Sequence, residues 1–268
     1  MDAALDTEDL QLLDDAVHKS MTAASGRDLD TALTELGWLD VLDEMPDTAI
    51  RLVFSRLGET GAHAPVLNDV VLRAAGRPAG GTVPLPYAGG TWVLWQRDDT
   101  PGTAVDGEVP VHRVTAGEPV PLAAGRRALG WWLVGTSRAM LSLARQHAVD
   151  RVQFGKPIAG FQAVRHRLAE TLVAIEGAAA TLHAAADEPD ELASLLAKAA
   201  AGQAALTAAR HCQQVLGGIG FTDEHELHRH VKRALLLDGL LGSARELTRE
   251  AGAQLRARGS APRLVQLA

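Results

Sequence analysis

Apolar and polar residues alternate at helical spacing over the first 75 residues of the chain, which predicts a run of short helices. Leu33, Leu36 and Leu39 illustrate the pattern, because side chains three or four residues apart lie on one face of an α-helix. Glycine and proline interrupt the pattern at residues 58–65. We therefore expect an N-terminal helical region over residues 1–75 that consists of several short elements.

A different texture follows at residues 76–124, where glycine and proline become frequent. The segments TWVLWQ, at residues 91–96, and VPVHRV, at residues 109–114, are rich in β-branched and aromatic residues. Such runs between turn-forming segments are typical of β-strands. The sequence therefore predicts a reduced β region between two helical ones.

Residues 125–258 predict long amphipathic helices that pack against one another. Three apolar stripes recur at helical spacing. They comprise Leu129, Leu133, Met140, Leu143 and Ala144, then Val164, Leu168, Leu172, Ile175, Ala179 and Leu182, and then Leu192, Leu195, Leu196, Ala199, Leu206 and Val215. The acidic segment DEPDE, at residues 187–191, separates the last two stripes. Frequent alanines permit close packing, so we expect a mainly α fold with a C-terminal antiparallel four-helix bundle, followed by an unclassified tail at residues 259–268.

Composition agrees with a globular protein. Of the 268 residues, 47% are hydrophobic and 22% are charged, a balance that can bury a substantial core. The formal net charge of −7 argues against nucleic acid as the main partner. The single cysteine, Cys212, excludes an intramolecular disulfide, and a small buried apolar residue is its expected role. Since no apolar run reaches the roughly 20 residues that span a bilayer, we expect no membrane span and a cytoplasmic location.

The first segment with candidate chemistry is DRVQFGKPIAGFQ, at residues 150–162. Arg151 offers a planar fork of donors that suits a diphosphate. Gly155 and Pro157 end the preceding helix, so the arginine can project from a helix terminus. By itself, the segment also fits a solvated helix C-terminus.

The second segment is QQVLGGIGF, at residues 213–221, which ends another long helix. Consecutive glycines can turn their backbone N–H groups outward into an anion-binding concavity, and they leave room for a ligand to approach. A glycine C-cap without any ligand is the alternative interpretation.

Together the two segments resemble the C-terminal half of the acyl-CoA dehydrogenases, and the resemblance covers about residues 125–258. It implies FAD as the cofactor, with the arginine and the later glutamine of the first segment reaching an FAD that a neighbouring subunit mainly binds. It also implies that the Phe-Gly turn reverses the chain beside the cofactor and that the second segment completes the contact. The implied cofactor-binding residues are Arg151, Phe154, Gln162, Gln214, Gly217 and Gly218.

The β region departs from the family pattern. The resemblance leads us to expect a middle domain of about a hundred residues with a Thr-Glu-Pro-type segment at the flavin ring, whereas this chain offers about half that length and no such segment. The chain thus looks like the shorter subunit of the heteromeric, α2β2-type dehydrogenases of steroid-degrading actinobacteria. That likeness implies a larger dehydrogenase subunit as partner, an acyl-CoA substrate and an electron-transfer acceptor protein.

The catalytic base is an open question in the sequence. The family uses a glutamate that precedes a glycine after the Gly-Gly-x-Gly turn, and the best match is Asp238 before Gly239. The match is imperfect because aspartate is shorter, the interval is a few residues short and Leu240 replaces the expected threonine. The family's alternative base position falls near Ala124 and Gly125, which carry no carboxylate. Asp238 also fits a helix-terminal or N-cap residue, in which case the partner supplies the base.

A histidine-rich segment, EHELHRH, contains His225, His228 and His230. The first two could share a helical face, a spacing that can bind a metal. No cysteine or clear third ligand completes the set, so we expect no metal and polar packing near the cofactor or a subunit interface.

Three hypotheses follow from the sequence. The favoured one is a cofactor-sharing subunit of an FAD-dependent acyl-CoA dehydrogenase that acts on a bulky, steroid-derived CoA thioester. The alternatives are a self-sufficient homo-oligomeric dehydrogenase that uses Asp238, and a non-catalytic helical scaffold. Cofactor content with and without a partner distinguishes them.

Overall fold

The computed structural model describes residues 7–98, 100–102, 104–187 and 190–260, and these residues form a mainly helical fold, as predicted. Its ten α-helices are α1 Thr7–Ala23, α2 Gly26–Glu35, α3 Trp38–Glu44, α4 Pro46–Thr60, α5 Leu67–Ala74, α6 Ala123–Asp150, α7 Gln162–Asp187, α8 Glu191–Leu216, α9 Leu227–Gly239 and α10 Ala244–Arg258. Its strands are β1 Pro84–Tyr87, β2 Thr91–Trp95, β3 Val111–Val114, β4 Val152–Gln153 and β5 Lys156–Pro157. The break at residues 188–189 and most of the predicted tail lie outside the described residues.

The N-terminal helices join the bundle through a close contact between α4 and α6. A Cβ atom on Gly58 would lie 2.4 Å from the carbonyl oxygen of Trp132, so the two backbones touch there. Beside this contact the Trp132 ring packs against Phe54, at 5.7 Å between centroids, and against Trp95, at 5.6 Å. Glycine at the crossing lets the helices approach, and the aromatic rings fill the space around it.

The β region is a three-stranded antiparallel sheet in the order β1-β2-β3. The two predicted segments correspond to β2 and β3, whereas β1 was not predicted separately because its sequence, PLPY, contains two prolines. The end of β1 contacts the loop between α9 and α10, where the Leu241 N–H donates to the Pro86 carbonyl at 2.8 Å. The sheet is thereby attached to the bundle.

A buried ion pair fixes the region after β2 to α9. The guanidinium of Arg233 contacts Asp106, and both side chains are at most 4% exposed. Arg233 Nη1 also donates to the carbonyls of Gly61, at 3.1 Å, and Ala62, at 2.9 Å. Since a buried charge is tolerated only when it is paired and hydrogen-bonded, this arginine holds three parts of the chain in one arrangement.

The bundle core consists of α6, α7 and α8, with α9 and α10 packed against them. The faces of α8 are lined by buried alanines, which allow the close packing that the sequence predicted. One stretch of the described residues, Glu191–Phe221, is long and apolar enough to cross a membrane. However, 67% of its most apolar window is buried inside the protein. A core helix passes the same test, so this stretch is weak evidence for a membrane span.

Candidate functional site

Two surface segments meet at one end of the bundle. α6 ends at Asp150 and α7 begins at Gln162 after a short hairpin, so α7 runs antiparallel to α6. α8 is antiparallel to α7 in turn, which brings the 3-10 turn Gly217–Phe221 to the same end as the hairpin. The helices are in contact near this end, where Thr171 Oγ1 of α7 lies 2.9 Å from His211 Nδ1 of α8.

We call this region the bundle end; it comprises residues 145–167 and 210–225. It contains all the residues predicted to bind the cofactor, namely Arg151, Phe154, Gln162, Gln214, Gly217 and Gly218. Each of them is exposed or half-buried. The fold thus places both motifs on one accessible surface, although about 50 residues separate them in the sequence.

The hairpin at the bundle end holds Phe154 in an exposed position. β4 and β5 are joined by the two residues Phe154 and Gly155, which have φ values of 51° and 76°. Positive φ at both central residues is the geometry of the tight turns that match the twist of a hairpin. The Phe154 side chain is 93% exposed, and its ring lies edge-on to Phe161 at 6.1 Å. The turn therefore presents a large apolar side chain at the surface of the bundle end.

The three glycines of the second motif have different physical roles. Gly217 has a φ of 69° and a ψ of −142°, a conformation that is essentially restricted to glycine. Gly220 is required by packing, because a Cβ there would lie 2.8 Å from the Gln213 carbonyl oxygen. At Gly218, no described atom lies within 4 Å of an added Cβ, and its φ is not in the left-handed region. Within the described fold, Gly218 therefore has no packing reason to be glycine, which is the expectation for a site approached from outside.

The bundle end is strongly basic in an acidic chain. Residues 145–167 contain five Lys or Arg residues and one acidic residue. Four arginines from the motif helices form no ion pair among the described residues: Arg151, Arg165, Arg167 and Arg210. Such a cluster attracts anions. The charge pattern of residues 145–167 is a signal in the sequence that motif reasoning overlooked.

Histidines at the bundle end are affected by the same cations. Burial, followed by the charges of His225 and Arg151, lowers the pKa of His147. Burial and the charges of Arg167 and Arg210 lower the pKa of His211. The influence of His225 on His147 also shows that the loop before α9 lies close to the end of α6. Both shifts favour the neutral form of these histidines.

Asp238, the candidate base, is enclosed by helices. It is 9% exposed, and its Oδ1 accepts a hydrogen bond from the Ala244 N–H at 3.0 Å. The same oxygen would lie 2.3 Å from a Cβ on Gly202 of α8. Lys198 Nζ donates to the Asp238 backbone carbonyl at 2.6 Å. This geometry fits the helix-capping alternative, because the carboxylate stabilises the start of α10 and faces the interior.

A glycine followed by a hydroxyl residue occurs later in the chain, at Gly242 and Ser243, and sequence reasoning missed it. Gly242 lies three residues farther from the glycine turn than Gly239 does, and the interval to Asp238 is a few residues short of the family pattern. That interval is the signal in the sequence that could have identified this pair. The preceding residue is Leu241, which is 1% exposed and has a φ of 56°. A Cβ on Gly125 would lie 2.8 Å from Leu241 Cδ1 and 3.0 Å from Val71 Cγ2. The two positions are thus neighbours in space, and apolar atoms fill the gap between them.

His225 and His228 do not share a helical face. α9 begins at Leu227, and His225 lies in the preceding turn, where its Nδ1 accepts from the Leu227 N–H at 3.1 Å. The hydrogen bond makes His225 part of a local turn that starts the helix. Within the described ranges, no group of three or more His, Cys, Asp or Glu residues could hold a metal ion. Cys212 is fully buried as predicted, and burial raises its pKa to about 12.

The family model described as "Acyl-CoA dehydrogenase, C-terminal domain" matches residues 120–255, which is just over half of the chain. The chain belongs to the acyl-CoA dehydrogenase family. The matched residues run from the start of α6 to near the end of α10 and contain both motifs of the bundle end.

Curated relatives of this chain include "Acyl-CoA dehydrogenase IpdE2" of Mycobacterium tuberculosis. The two are 40% identical over 116 residues, which cover 43% of this chain and 36% of the relative. "Acyl-CoA dehydrogenase FadE34" of the same organism is 37% identical over 199 residues, covering 66% of this chain and 28% of the relative. The chain thus spans about a third of the length of the curated relatives that it matches.

Solved structures with the same fold include two that are each named as a pair of proteins. A variant of the steroid ACAD Tcur3481-Tcur3483 superposes with a TM-score of 0.74 at 19% identity, and it covers 94% of this chain and 98% of that chain. The ChsE4-ChsE5 complex from Mycobacterium tuberculosis superposes with a TM-score of 0.72 at 20% identity. The aligned region covers 98% of this chain and 100% of the matched chain. At these identities the comparison establishes the acyl-CoA dehydrogenase fold of this chain.

Members of the acyl-CoA dehydrogenase family are FAD-dependent flavoproteins. The bundle end fits part of this cofactor, because a diphosphate needs charge-assisted donors and a close backbone approach. The arginines without ion pairs and the open surface at Gly218 offer both. The fit concerns the diphosphate part of the cofactor.

Proposed function

We propose that this chain is the shorter, cofactor-sharing subunit of a heteromeric FAD-dependent acyl-CoA dehydrogenase. A larger dehydrogenase subunit supplies the flavin-ring pocket and the catalytic base. The observation that carries the proposal is the contact between Gly125 and Leu241. In the family pattern, one base position lies near the start of the first bundle helix and the other lies directly before a glycine and a hydroxyl residue. In this chain both places are apolar.

Removing the α-proton of an acyl thioester requires a carboxylate within hydrogen-bond reach of that proton. Leu241 and Gly125 have no ionisable group, and Val71 packs beside Gly125. Asp238, the remaining candidate, is engaged by the Ala244 N–H on the inner side of α9. These contacts support a base in the partner and count against the self-sufficient alternative.

The role of this chain in the proposed complex is to bind and orient the cofactor. Arg151 and Gln214 hold the diphosphate, and the turn at Gly217 and Gly218 lets the backbone approach it. Phe154 packs against the cofactor or the partner from the hairpin. When bound, FAD supplies the acceptor for the hydride that the substrate loses from its β-carbon. Excluding water from this contact strengthens the charge-assisted hydrogen bonds.

Apolar side chains at and next to the bundle end support a partner at this surface. Phe154, Phe221 and Val152 are 93%, 66% and 55% exposed, and Val149 is 53% exposed. Exposed apolar residues clustered at one place are unfavourable in water unless another chain covers them. The two structural neighbours described above are each named as a pair of different proteins. We propose a hetero-oligomer of the α2β2 type.

The substrate class is proposed from the neighbours as well. Tcur3481-Tcur3483 is described as a steroid ACAD, and we propose a bulky, steroid-derived CoA thioester for this complex. An electron-transfer protein is the proposed acceptor. We propose that the partner subunit determines the acyl specificity.

Co-expression tests the proposal. The chain is expressed alone and together with the dehydrogenase chain that co-purifies with it, and the FAD content is measured from the flavin absorbance. FAD bound only in the complex is the expected result. FAD bound by this chain alone would support the homo-oligomeric alternative, and FAD absent from both preparations would support the scaffold.

Arg151→Ala in the complex tests the site itself. We expect a weaker affinity for FAD by about 1.5–3 kcal/mol, the typical contribution of a charge-assisted hydrogen bond. The matched control is Arg245→Ala, which removes an exposed arginine from α10 and should leave FAD binding unchanged. Equal FAD affinity of the two variants would remove Arg151 from the cofactor site.

A further inference from the structure

A cleft between the N-terminal helices and the bundle has no part in the proposed cofactor site. Its volume is about 620 Å³, within the range of roughly 300–1,000 Å³ that small-molecule sites occupy. Side chains from α1, α4, α6 and α7 form its walls. The cleft therefore has the size of a ligand site and lies away from the bundle end.

Both carboxylates of the cleft lining, Asp14 and Glu59, are bound by one arginine. Arg56 Nε donates to Asp14 Oδ1 at 2.8 Å, and its Nη1 donates to Glu59 Oε2 at 2.7 Å. The hydrogen bond from Arg56 is the main cause of the lowered pKa of Asp14. One guanidinium thus binds both acidic groups of the lining and offsets one of their two negative charges. Arg51 and Arg138, the other two arginines of the lining, leave the cleft with one net positive charge.

Two other guanidiniums of the lining remain available. Arg51 is exposed and has no ion pair among the residues that the structure describes. Arg138 pairs with Glu176 at 3.1 Å, but the two side chains are 36% and 55% exposed. Exposed pairs of this kind contribute little stability and exchange readily with other anions. An entering anion therefore meets two cations that it can engage at low cost.

The cleft also has an aromatic end. Trp131 is 5% exposed, and its ring packs edge-on against His183 at 4.9 Å between centroids. Trp131 and Arg138 are seven residues apart on α6, which places their Cα atoms roughly 10 Å apart along the helix axis. A flat ring beside Trp131 and His183 can thus extend its charged group to Arg138 or Arg51.

We propose that this cleft binds a small organic anion that carries a flat apolar ring. The ring packs at Trp131 and His183, and the anionic group is held by Arg51 and Arg138. Leu10 and Leu52 contribute apolar surface to the walls. The proposal is independent of the cofactor site and of the partner's catalytic base.

The experiment compares two fluorescent probes that differ only in charge. 8-Anilinonaphthalene-1-sulfonate carries a ring system and a sulfonate, and N-phenyl-1-naphthylamine has the same rings without the sulfonate. Both are titrated into the purified protein, into the variant Arg51→Gln/Arg138→Gln, and into the control Arg245→Gln/Arg249→Gln. The control removes two exposed arginines from α10. All four substituted arginines are at the surface, so the fold should be retained, and circular dichroism verifies it.

The sulfonate probe is expected to lose at least about tenfold in affinity in the cleft variant, as the loss of charge-assisted hydrogen bonds predicts. The control should stay within about twofold of the unchanged protein, since it keeps both cleft arginines. The neutral probe should respond to neither variant. Equal affinity of the sulfonate probe for both variants would overturn the proposal, as would an equal loss for the neutral probe.

Discussion

Replacing Lys198 by methionine tests whether a buried charge controls the pH dependence of stability. The Lys198 ammonium is 0% exposed and donates to the Asp238 and Gly242 carbonyls, which belong to the end of α9 and to the following loop. Burial lowers its pKa from 10.5 to about 7, although Asp238 acts in the opposite direction. Methionine has a similar length, keeps the packing and removes the titrating group.

The expected magnitude follows from this pKa. Between pH 7 and 10.5 the unfolded chain binds a proton at Lys198 that the folded protein has released, so folding stability rises with pH in this window. Below pH 7 both states are protonated and the contribution is constant. The slope above pH 7 is about 1.4 kcal/mol per pH unit, which amounts to about 3 kcal/mol between pH 6 and pH 9.

Urea denaturation at pH 6, 7, 8 and 9, followed by tryptophan fluorescence, measures this effect. The free energy of unfolding of the unchanged protein minus that of Lys198→Met should be flat below pH 7 and then rise by about 3 kcal/mol up to pH 9. Lys19→Met, an exposed lysine on α1, is the matched control and should give a constant difference. A pH-independent difference for Lys198→Met would refute the reasoning.

Three further predictions concern the core, acid stability and the base. Gly135→Ala should destabilise the protein by about 3 kcal/mol through overpacking, because the new Cβ would lie 2.2 Å from the Ser55 carbonyl oxygen. The control is Gly177→Ala on α7, whose new Cβ would have no described atom within 4 Å. It should be neutral or stabilising in the same denaturation assay. Burial lowers the pKa of His63 and of His230 from 6.5 to about 4. The free energy of unfolding should therefore fall as the pH drops from 6.5 to 4, by up to about 3 kcal/mol per histidine. An unchanged midpoint of urea unfolding across this pH window would contradict the prediction. Asp238→Asn in the complex should leave reductive bleaching of the flavin by an acyl-CoA near normal, since asparagine can still accept from the Ala244 N–H; loss of bleaching with FAD still bound would place the base in this chain.

Local patterns were sufficient to predict the elements of the fold. Helical spacing of apolar residues located the bundle helices, and the β-rich segments at residues 91–96 and 109–114 located two of the three strands of the sheet. The order and spacing of the Arg-Phe-Gly and Gly-Gly-x-Gly segments indicated the family that residues 120–255 match. These features depend on neighbours in the chain, because a helix face or a glycine turn is encoded within a few residues.

Only the tertiary structure decided where side chains point and which distant residues touch. The enclosure of Asp238 could not be predicted from the sequence, since it results from Gly202 on α8 and Ala244 on α10. Likewise, Gly125 and Leu241 are more than 100 residues apart in the sequence, and their contact depends on how α6 packs against the loop before α10. Burial, contact and charge pairing are properties of packed helices, so they arise only when segments from several parts of the chain meet.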